Sequence, residues 1–318
     1  MATRPQPSLV TCPLTDLAAA QVRSLLASER RHWADRLGWD LRESLELTHQ
    51  AISCGVLGGI AATLDGHAVG YLSCHPSANV LRLCGAHVAP DAPSTTSLAL
   101  VEGVLGVKGA WDKRLEGQLT VFEAQAAMDA AFRAHGASVV ERAFLGLELA
   151  APRLRAEPRV KSPAGCELVP FQRSLVPQCA RVLVAAHAGT IEASINTAFG
   201  SPALARSYLT EIVTGPGCGV VHETASSVAV SAGQVVGFCL ATAISPAVGH
   251  LPQVVVDPSF QGQGIGSALM ARTLAALRGE SFRRVTLSVS RENSIPAAWY
   301  LRLGFAEIAG FSAYCRQR

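Results

Sequence analysis

Val254-Val255-Val256-Asp257-Pro258-Ser259-Phe260-Gln261-Gly262-Gln263-Gly264-Ile265-Gly266-Ser267 is the stretch on which the reading of this 318-residue chain turns. Three β-branched residues make a buried strand, and Asp257-Pro258 ends it. A glycine loop then leads into a helix from Ser267 to Leu277, built mostly of Ala, Leu, Met, Arg and Thr and closed by Gly279. With glycines at 262, 264 and 266 there is little side-chain bulk over the loop, so backbone N–H groups can converge on one ligand. They do so at the positive end of a helix, where an anion gains about 0.3–1 kcal/mol. The arrangement predicts a pyrophosphate cradle. It is not a Walker loop, which ends in Gly-Lys-Ser/Thr, nor a dinucleotide fingerprint, whose last glycine would fall on Ser267.

The residues that follow narrow the choice. Arg284 to Val289 alternates apolar and polar as a strand does. Asn293 comes next, then Pro296 at a helix start, Trp299-Tyr300, and Gly304-Phe305 just past the helix end. Together with Gln261-x-x-Gly264-x-Gly266, this order resembles the GNAT N-acetyltransferases. Their first motif reads Q/R-x-x-G-x-G/A, and their second sets a Tyr seven residues after an Asn, then a Gly-Phe.

The resemblance implies an α/β protein with a mixed, mostly antiparallel sheet flanked by helices, and acetyl-CoA as cosubstrate without a metal. Main-chain groups of Val254, Val255 and Val256 would bond the pantetheine like an added strand. Gln261, Gly262, Gln263, Gly264, Ile265, Gly266 and Ser267 would wrap the pyrophosphate, and Asn293 would hold a cofactor amide. Tyr300 would protonate the departing thiolate, with Trp299 packed under the sheet. His250, eleven residues before Gln261, lies at an offset similar to the carboxylate base of histone-type members. An imidazole near pKa ~6.5 would suit that role at neutral pH, although a strand-end histidine satisfied by backbone is the ordinary case. Gln253 would position substrate or water. His187, Glu192 and Asn196 would line the pocket of a small-molecule amine, with Glu192 holding a cation by charge. His222 and Glu223 are weaker candidates of the same kind, and Arg272 and Arg278 would meet a CoA 3′-phosphate unless they simply face solvent.

Length and composition set the frame. The chain is long enough for two cores, with 49% hydrophobic and 16% charged residues. A net charge of +3 argues for no nucleic-acid partner. Residues 1–9 lack the apolar core of a signal peptide. Ala51 to Leu64 is short and carries three glycines, while Thr224 to Val256, free of charged residues, is divided by Gly233, Pro246, Gly249 and Pro252. No membrane span is expected. Nine cysteines without C-x-x-C pairs read as reduced thiols of a cytoplasmic protein.

The chain also repeats itself. Gly66-His67-Ala68-Val69-Gly70-Tyr71 matches Gly233-Gln234-Val235-Val236-Gly237-Phe238, and Pro90-Asp91 and His135-Gly136 have counterparts at Asp257-Pro258 and Leu303-Gly304. The offset is 167 at Gly70, 166 at Asp91 and 168 at Gly136. The expected division is a first copy over 1–150, a linker rich in proline and charge over 151–163, and a second copy over 164–318. Leu98 and Leu100 fall where Gly264 and Gly266 stand, Phe132 replaces Tyr300 and Gln125 replaces Asn293. The first copy is therefore read as non-catalytic.

Within the second copy, Cys166 to Phe171 reads as a strand. A helix from about Leu175 to Ala188 follows, with Ser174 as cap, and then a polar loop from Gly189 to Asn196. Ser201-Pro202 opens a further helix, and strands turn at Ala232-Gly233 before a strand from His250 to Val256. The tandem order resembles mycothiol synthases, whose first copy keeps more of a cofactor loop. Two other functions fit the same fold: a CoA-binding regulator without transfer, and an interaction protein on an inert scaffold. The sequence leaves the acceptor's identity and the oligomeric state open.

Overall fold

A computed structural model describes residues 8–150 and 165–317; the expected linker 151–163 lies outside them. The described residues form two compact units, one drawn from residues 8–35, 42–142 and 310–317, the other from 36–41, 143–150 and 165–309.

The first unit contains β1 (Leu9–Pro13), α1 (Ala19–Leu37, whose last two residues belong to the second unit), α2 (Arg42–Ser53), β2 (Gly58–Leu64) and β3 (His67–Pro76). It continues through β4 (Val80–Val88), α3 (Thr96–Leu105), β5 (Arg114–Leu119), α4 (Gln125–Ala134) and the start of β6 (Ser138–Glu148). Strands β1 to β5 pair in chain order, all antiparallel except β4 with β5.

The second unit contains β7 (Cys166–Pro170), α5 (Val176–His187), α6 (Ile191–Ile195), α7 (Pro202–Thr214), β8 (Val220–Val221) and β9 (Ser227–Ser231). Then come β10 (Gln234–Ser245), β11 (Val248–Val256), α8 (Ile265–Gly279), β12 (Arg284–Ser290), α9 (Ser294–Leu303) and the start of β13 (Ala306–Arg316). Its order is β7-β9-β10-β11-β12, again antiparallel except for β11 with β12. The parallel pairs correspond closely: Val80↔Arg114 to Leu83↔Gly117 in one unit, Val248↔Arg284 to Leu251↔Leu287 in the other. The repeat seen in the sequence is thus a repeat of fold.

Sequence halves and compact units nonetheless differ. Ser312 to Arg316 of β13 pair antiparallel with Leu119 to Leu115 of β5 in the first unit, while Glu148 of β6 bonds Arg284 in the second. A parallel β4–β5 ladder leaves the far edge of β5 with unpaired polar groups, and the chain's last strand satisfies them. A buried network fixes that strand. The Tyr314 hydroxyl donates to Asp129 Oδ1 at 2.6 Å and the Ser312 hydroxyl to Oδ2 at 3.0 Å. Gln125 Nε2 donates to Asp129 at 2.9 Å, and the Tyr314 ring lies 4.2 Å from that of Phe132.

Four local expectations change. Ser174 does not cap α5, because a 3-10 turn over Arg173–Leu175 runs directly into it. The polar loop from Gly189 to Asn196 contains the helical turn α6. Gly249 lies inside β11 rather than ending a strand, paired with Ala243, and Pro252 lies inside it where the β10 ladder slips and resumes at Gln253. Helix α8 begins at Ile265, two residues early, since Gly264 adopts the left-handed conformation just before it. Ser201 does cap α7, accepting from Leu204 N, and Ala232 and Gly233 turn with φ of 47° and 76°.

Two apolar layers cover the second unit's sheet. Cys239, Leu269, Leu277, Leu287, Tyr300 and Phe305 pack on the side of α8. Phe171, Leu183, Phe199, Leu209, Phe238, Leu240 and Val255 pack on the side of α5 and α7. No helix among the described residues is long and apolar enough to cross a membrane.

Because Tyr314 is fully buried in the first unit, Tyr314→Ala should cost about 3–5 kcal/mol. Hydrogen exchange should show the loss first in β4, β5 and α4; loss first in β10 and β11 would contradict the exchange of strands.

Candidate active site

The site begins with a proline in a central strand. Pro252 has no N–H to give to either neighbour, so a regular ladder cannot pass through it. Pairing of β11 with β12 stops one residue earlier, at Leu251↔Leu287. On the other edge the register slips between Leu240 and Thr242, so that Leu251 and Pro252 stand against Ala241 alone. From Gln253 to Val256 the strand keeps its β10 partners, Leu240 to Gly237. Its edge toward β12 opens into a splay.

The loop after β11 is held by its own side chains. Asp257 N donates to Val236 O at 2.8 Å, and its carboxylate accepts from Ser259 N at 2.9 Å. Gln261 Nε2 reaches back to Val256 O at 3.1 Å, and Gln263 Nε2 to Ser259 O at 3.3 Å. Gly262 and Gly264 have φ of 75° and 82°, and a Cβ built on either would meet nothing within 4 Å. The need for glycine there is conformational, and the space above is lined by backbone. The first N–H groups of α8, from Ile265, Gly266 and Ser267, open at the same place.

Tyr300 stands on α9, which ends at Gly304 with φ of 97°. The side chain is 7% exposed, and its ring lies 5.8 Å from Phe305 and 4.9 Å from Trp299. Burial raises its hydroxyl pKa above the ordinary phenol value, with smaller contributions from Cys239 and Glu192. Tyr300 thus holds its proton at neutral pH. The expected division of labour with Trp299 is reversed in burial: Tyr300 is the buried ring, while Trp299 is half-buried beside the loop, where a Cβ on Gly266 would lie 3.8 Å from it. The half-buried indole packs against the α8-side layer. Asn293 precedes α9 and its side chain makes no capping bond.

His250 lies elsewhere in the ladder. It pairs with Thr286 below the splay, its Nδ1 is 3.0 Å from the Thr286 hydroxyl, and its ring meets Trp39 edge-on at 4.8 Å. Burial lowers the imidazole to about 4. It is a mid-strand residue rather than a strand-end one, and it is a weaker base than the sequence reading required.

On the α5 side a row of rings leads to the splay. His187 stacks on Phe199 at 4.3 Å, and Phe199 meets Tyr208 edge-on at 5.5 Å. Gln253 Nε2 donates to the Tyr208 hydroxyl at 2.9 Å. Glu192, on α6, is 7% exposed. Asn196 is spent on the backbone, accepting from Ala198 N at 2.9 Å. Of the weaker candidates, Glu223 pairs with Arg173, His222 accepts from Ala225 N, and Arg272 donates to Leu168 O. Sequence reading missed Phe199 and Tyr208, because single aromatics in a loop and on a helix carry no spacing signal. Burial takes the Cys239 thiol, which acts on Tyr300, up to about 12. Among the described residues no group of three His, Cys, Asp or Glu side chains is placed to hold a metal.

Comparison with known proteins agrees with this geometry. Residues 199–305 match the acetyltransferase (GNAT) family. A mycothiol acetyltransferase of Cellulomonas flavigena is 45% identical over 62 residues, 20% of this chain and 18% of that protein. A glucosamine 6-phosphate N-acetyltransferase of Trypanosoma brucei brucei is 44% identical over 59 residues, 19% of this chain and 38% of that protein. The chain thus aligns with well under half the length of these relatives. A GCN5-related N-acetyltransferase from Sphaerobacter thermophilus superposes with a TM-score of 0.64 at 16% identity, over 97% of this chain and 95% of that one. A tandem GNAT protein from the clavulanic acid biosynthesis pathway does so with a TM-score of 0.61 at 17% identity, over 97% and 98%. The second half thus carries a match to the acetyltransferase (GNAT) family, and the whole chain shares the fold of GNAT structures, a tandem one among them.

Proposed function

We propose that this protein transfers an acetyl group from acetyl-CoA to the amine of a small molecule, using the second unit alone. The observation that carries the reading is the coincidence, in one unit, of the splayed edge of β11, the left-handed Gly262 and Gly264, and the buried phenol of Tyr300. The first unit shares the slipped ladder but lacks the other two: leucines stand where Gly264 and Gly266 do, and phenylalanine where the tyrosine does. Relatives named for acetylating small amines support a small acceptor.

The residues fit the cosubstrate. A cradle of backbone N–H groups over Gln261–Ser267 matches a pyrophosphate. The unpaired edge of Val254–Val256 matches the amides of a pantetheine arm, and the side chain of Asn293 is available to a further amide. Acetyl-CoA supplies the acyl group as an activated thioester. Tyr300 keeps a proton on its hydroxyl for the sulfur that departs, and its burial ensures that the proton is present across the neutral range. Backbone N–H groups at the splay polarise the carbonyl. His250 orients Thr286 and packs on Trp39; we assign it no proton transfer.

Acetyl-CoA at ~100 times its dissociation constant should stabilise the wild type by about 2.7 kcal/mol. Gly264→Trp should abolish that shift, and a shift that persists would place the ligand elsewhere. Tyr300→Phe should keep the shift and lose transfer by about 10²-fold or more; binding without transfer in the wild type would instead mark a CoA-binding regulator.

His250 supplies a pH test. It is neutral in the fold down to about 4, whereas an unfolded histidine takes up a proton below ~6.5. Stability should therefore be complete above that value and fall by about 3 kcal/mol as the pH drops toward 4. His250→Gln should remove this share of the slope, leaving that of His87, which burial also lowers to about 4, and leave the rate of transfer within a few-fold. A loss of more than about 10²-fold would restore the residue as a catalytic base.

A further inference from the structure

We infer that the first unit holds a binding site of its own for a small, uncharged phenol, with His87 giving the hydrogen bond and the rings of His32, Trp33 and Phe122 the contact surface. The site lies outside the transfer reaction and does not depend on it.

Tyr71 and His87 are register partners on β3 and β4, so their side chains stand on one face of the sheet. That face is turned to α1, because the Tyr71 hydroxyl donates to Glu29 Oε2 at 2.5 Å. Leu72 and Ala86, the neighbouring pair, belong instead to the apolar layer that includes α3. The second unit has an equivalent pair. Gly70↔Val88 answers to Gly237↔Val256, and one residue on, Tyr71↔His87 answers to Phe238↔Val255. Phe238 and Val255 are buried in the apolar layer on the side of α5. The fold thus accepts hydrocarbon at this pair, yet the first unit has a phenol and an imidazole there.

The phenol has a structural use and the imidazole has none. Tyr71 and Trp33 donate to the two oxygens of Glu29, at 2.5 and 3.3 Å, and so tie α1 to the sheet. His87 takes no part in that network. It is 5% exposed, and its buried Nε2 has no hydrogen-bond partner among the described residues. A polar atom buried in this way is unfavourable, and a valine would relieve it. What the imidazole retains is the capacity to bond a group that comes from outside the chain.

Its surroundings define that group. The His32 ring lies 5.2 Å from that of His87 and stacks 6.4 Å from Phe122, which Trp33 meets edge-on at 5.2 Å. All three rings are half-buried, and their faces suit a flat ligand. Charge is disfavoured. Both oxygens of Glu29 are engaged, and burial raises its carboxyl to about 7, so at neutral pH it carries only part of a charge. Burial lowers His87 to about 4, with smaller contributions from His32 and Arg31. The neutral imidazole therefore offers Nε2 as a donor or as an acceptor, according to tautomer. A hydroxyl can accept or donate, so it satisfies Nε2 in either state.

The test uses the full chain with phenol, toluene and 4-hydroxybenzoate as probes. In a long-range proton–nitrogen correlation spectrum, the His87 imidazole signals are identified by their absence in His87→Val. Phenol should shift them saturably. Toluene, which lacks the hydroxyl, and 4-hydroxybenzoate, which adds a charge, should each bind about 10-fold more weakly or worse. His87→Val, which copies the second unit, should keep or raise the thermal midpoint and weaken phenol by about 10-fold. His87→Gln should recover part of that affinity. No saturable shift of His87 by phenol, or equal affinity for phenol and toluene, would overturn the site, and both comparisons need only the wild type. A lowered midpoint in His87→Val with phenol binding unchanged would show that His87 serves the fold alone.

Discussion

Backbone hydrogen bonding around Pro252 is the constraint from which the site follows. A central strand flanked on both edges would ordinarily have every polar group engaged, and nothing could enter. Here the parallel ladder to β12 ends at Leu251↔Leu287 and the antiparallel ladder to β10 slips at the same level. Four residues, Gln253 to Val256, are left held on one edge and open on the other. The glycine loop follows that opening, Tyr300 packs in the layer on the α8 side, and Tyr208 joins Gln253 from the α5 side.

The same bulge exists in the first unit, where β3 and β4 slip between Ser73 and Cys74 and the β4–β5 ladder ends at Leu83↔Gly117. The fold alone therefore does not make a site. What differs is how the side chains around it are used. Gln125, at the position of Asn293, gives its amide to Asp129 and Tyr314 and takes Val121 N. Phe132, at the position of Tyr300, packs on the Tyr314 ring. Positions proposed to serve a ligand in one copy hold the chain's final strand in the other. Leu100, fully buried where the second copy has Gly266, fills the start of α3 from within.

Much of this could be read from residue types alone. Glycines 262 and 264 announce positive φ, and the structure places both there; Gly304 closes α9 in the same way. The repeat was visible because turn residues recur at nearly constant offset. Other features depend on long-range pairing, which no local pattern encodes. Nothing in Ser312 to Arg316 says that they will pair with Leu115 to Leu119 rather than with a strand of their own half. His250 drew attention through its offset from Gln261, but the ring's burial against Trp39, a residue far away in the chain, decides its basicity. Pro252 read as a strand end because proline usually is one; only a bulge between two ladders lets it stay inside.

The central claim is that one copy of the duplicated fold keeps a working cofactor site and the other has converted its counterpart to structure. Calorimetric titration of the full chain with acetyl-CoA measures this directly through stoichiometry. The account requires one molecule bound per chain. Two bound per chain would show that the first unit retains a cradle despite its leucines, and none would remove the cofactor from the second.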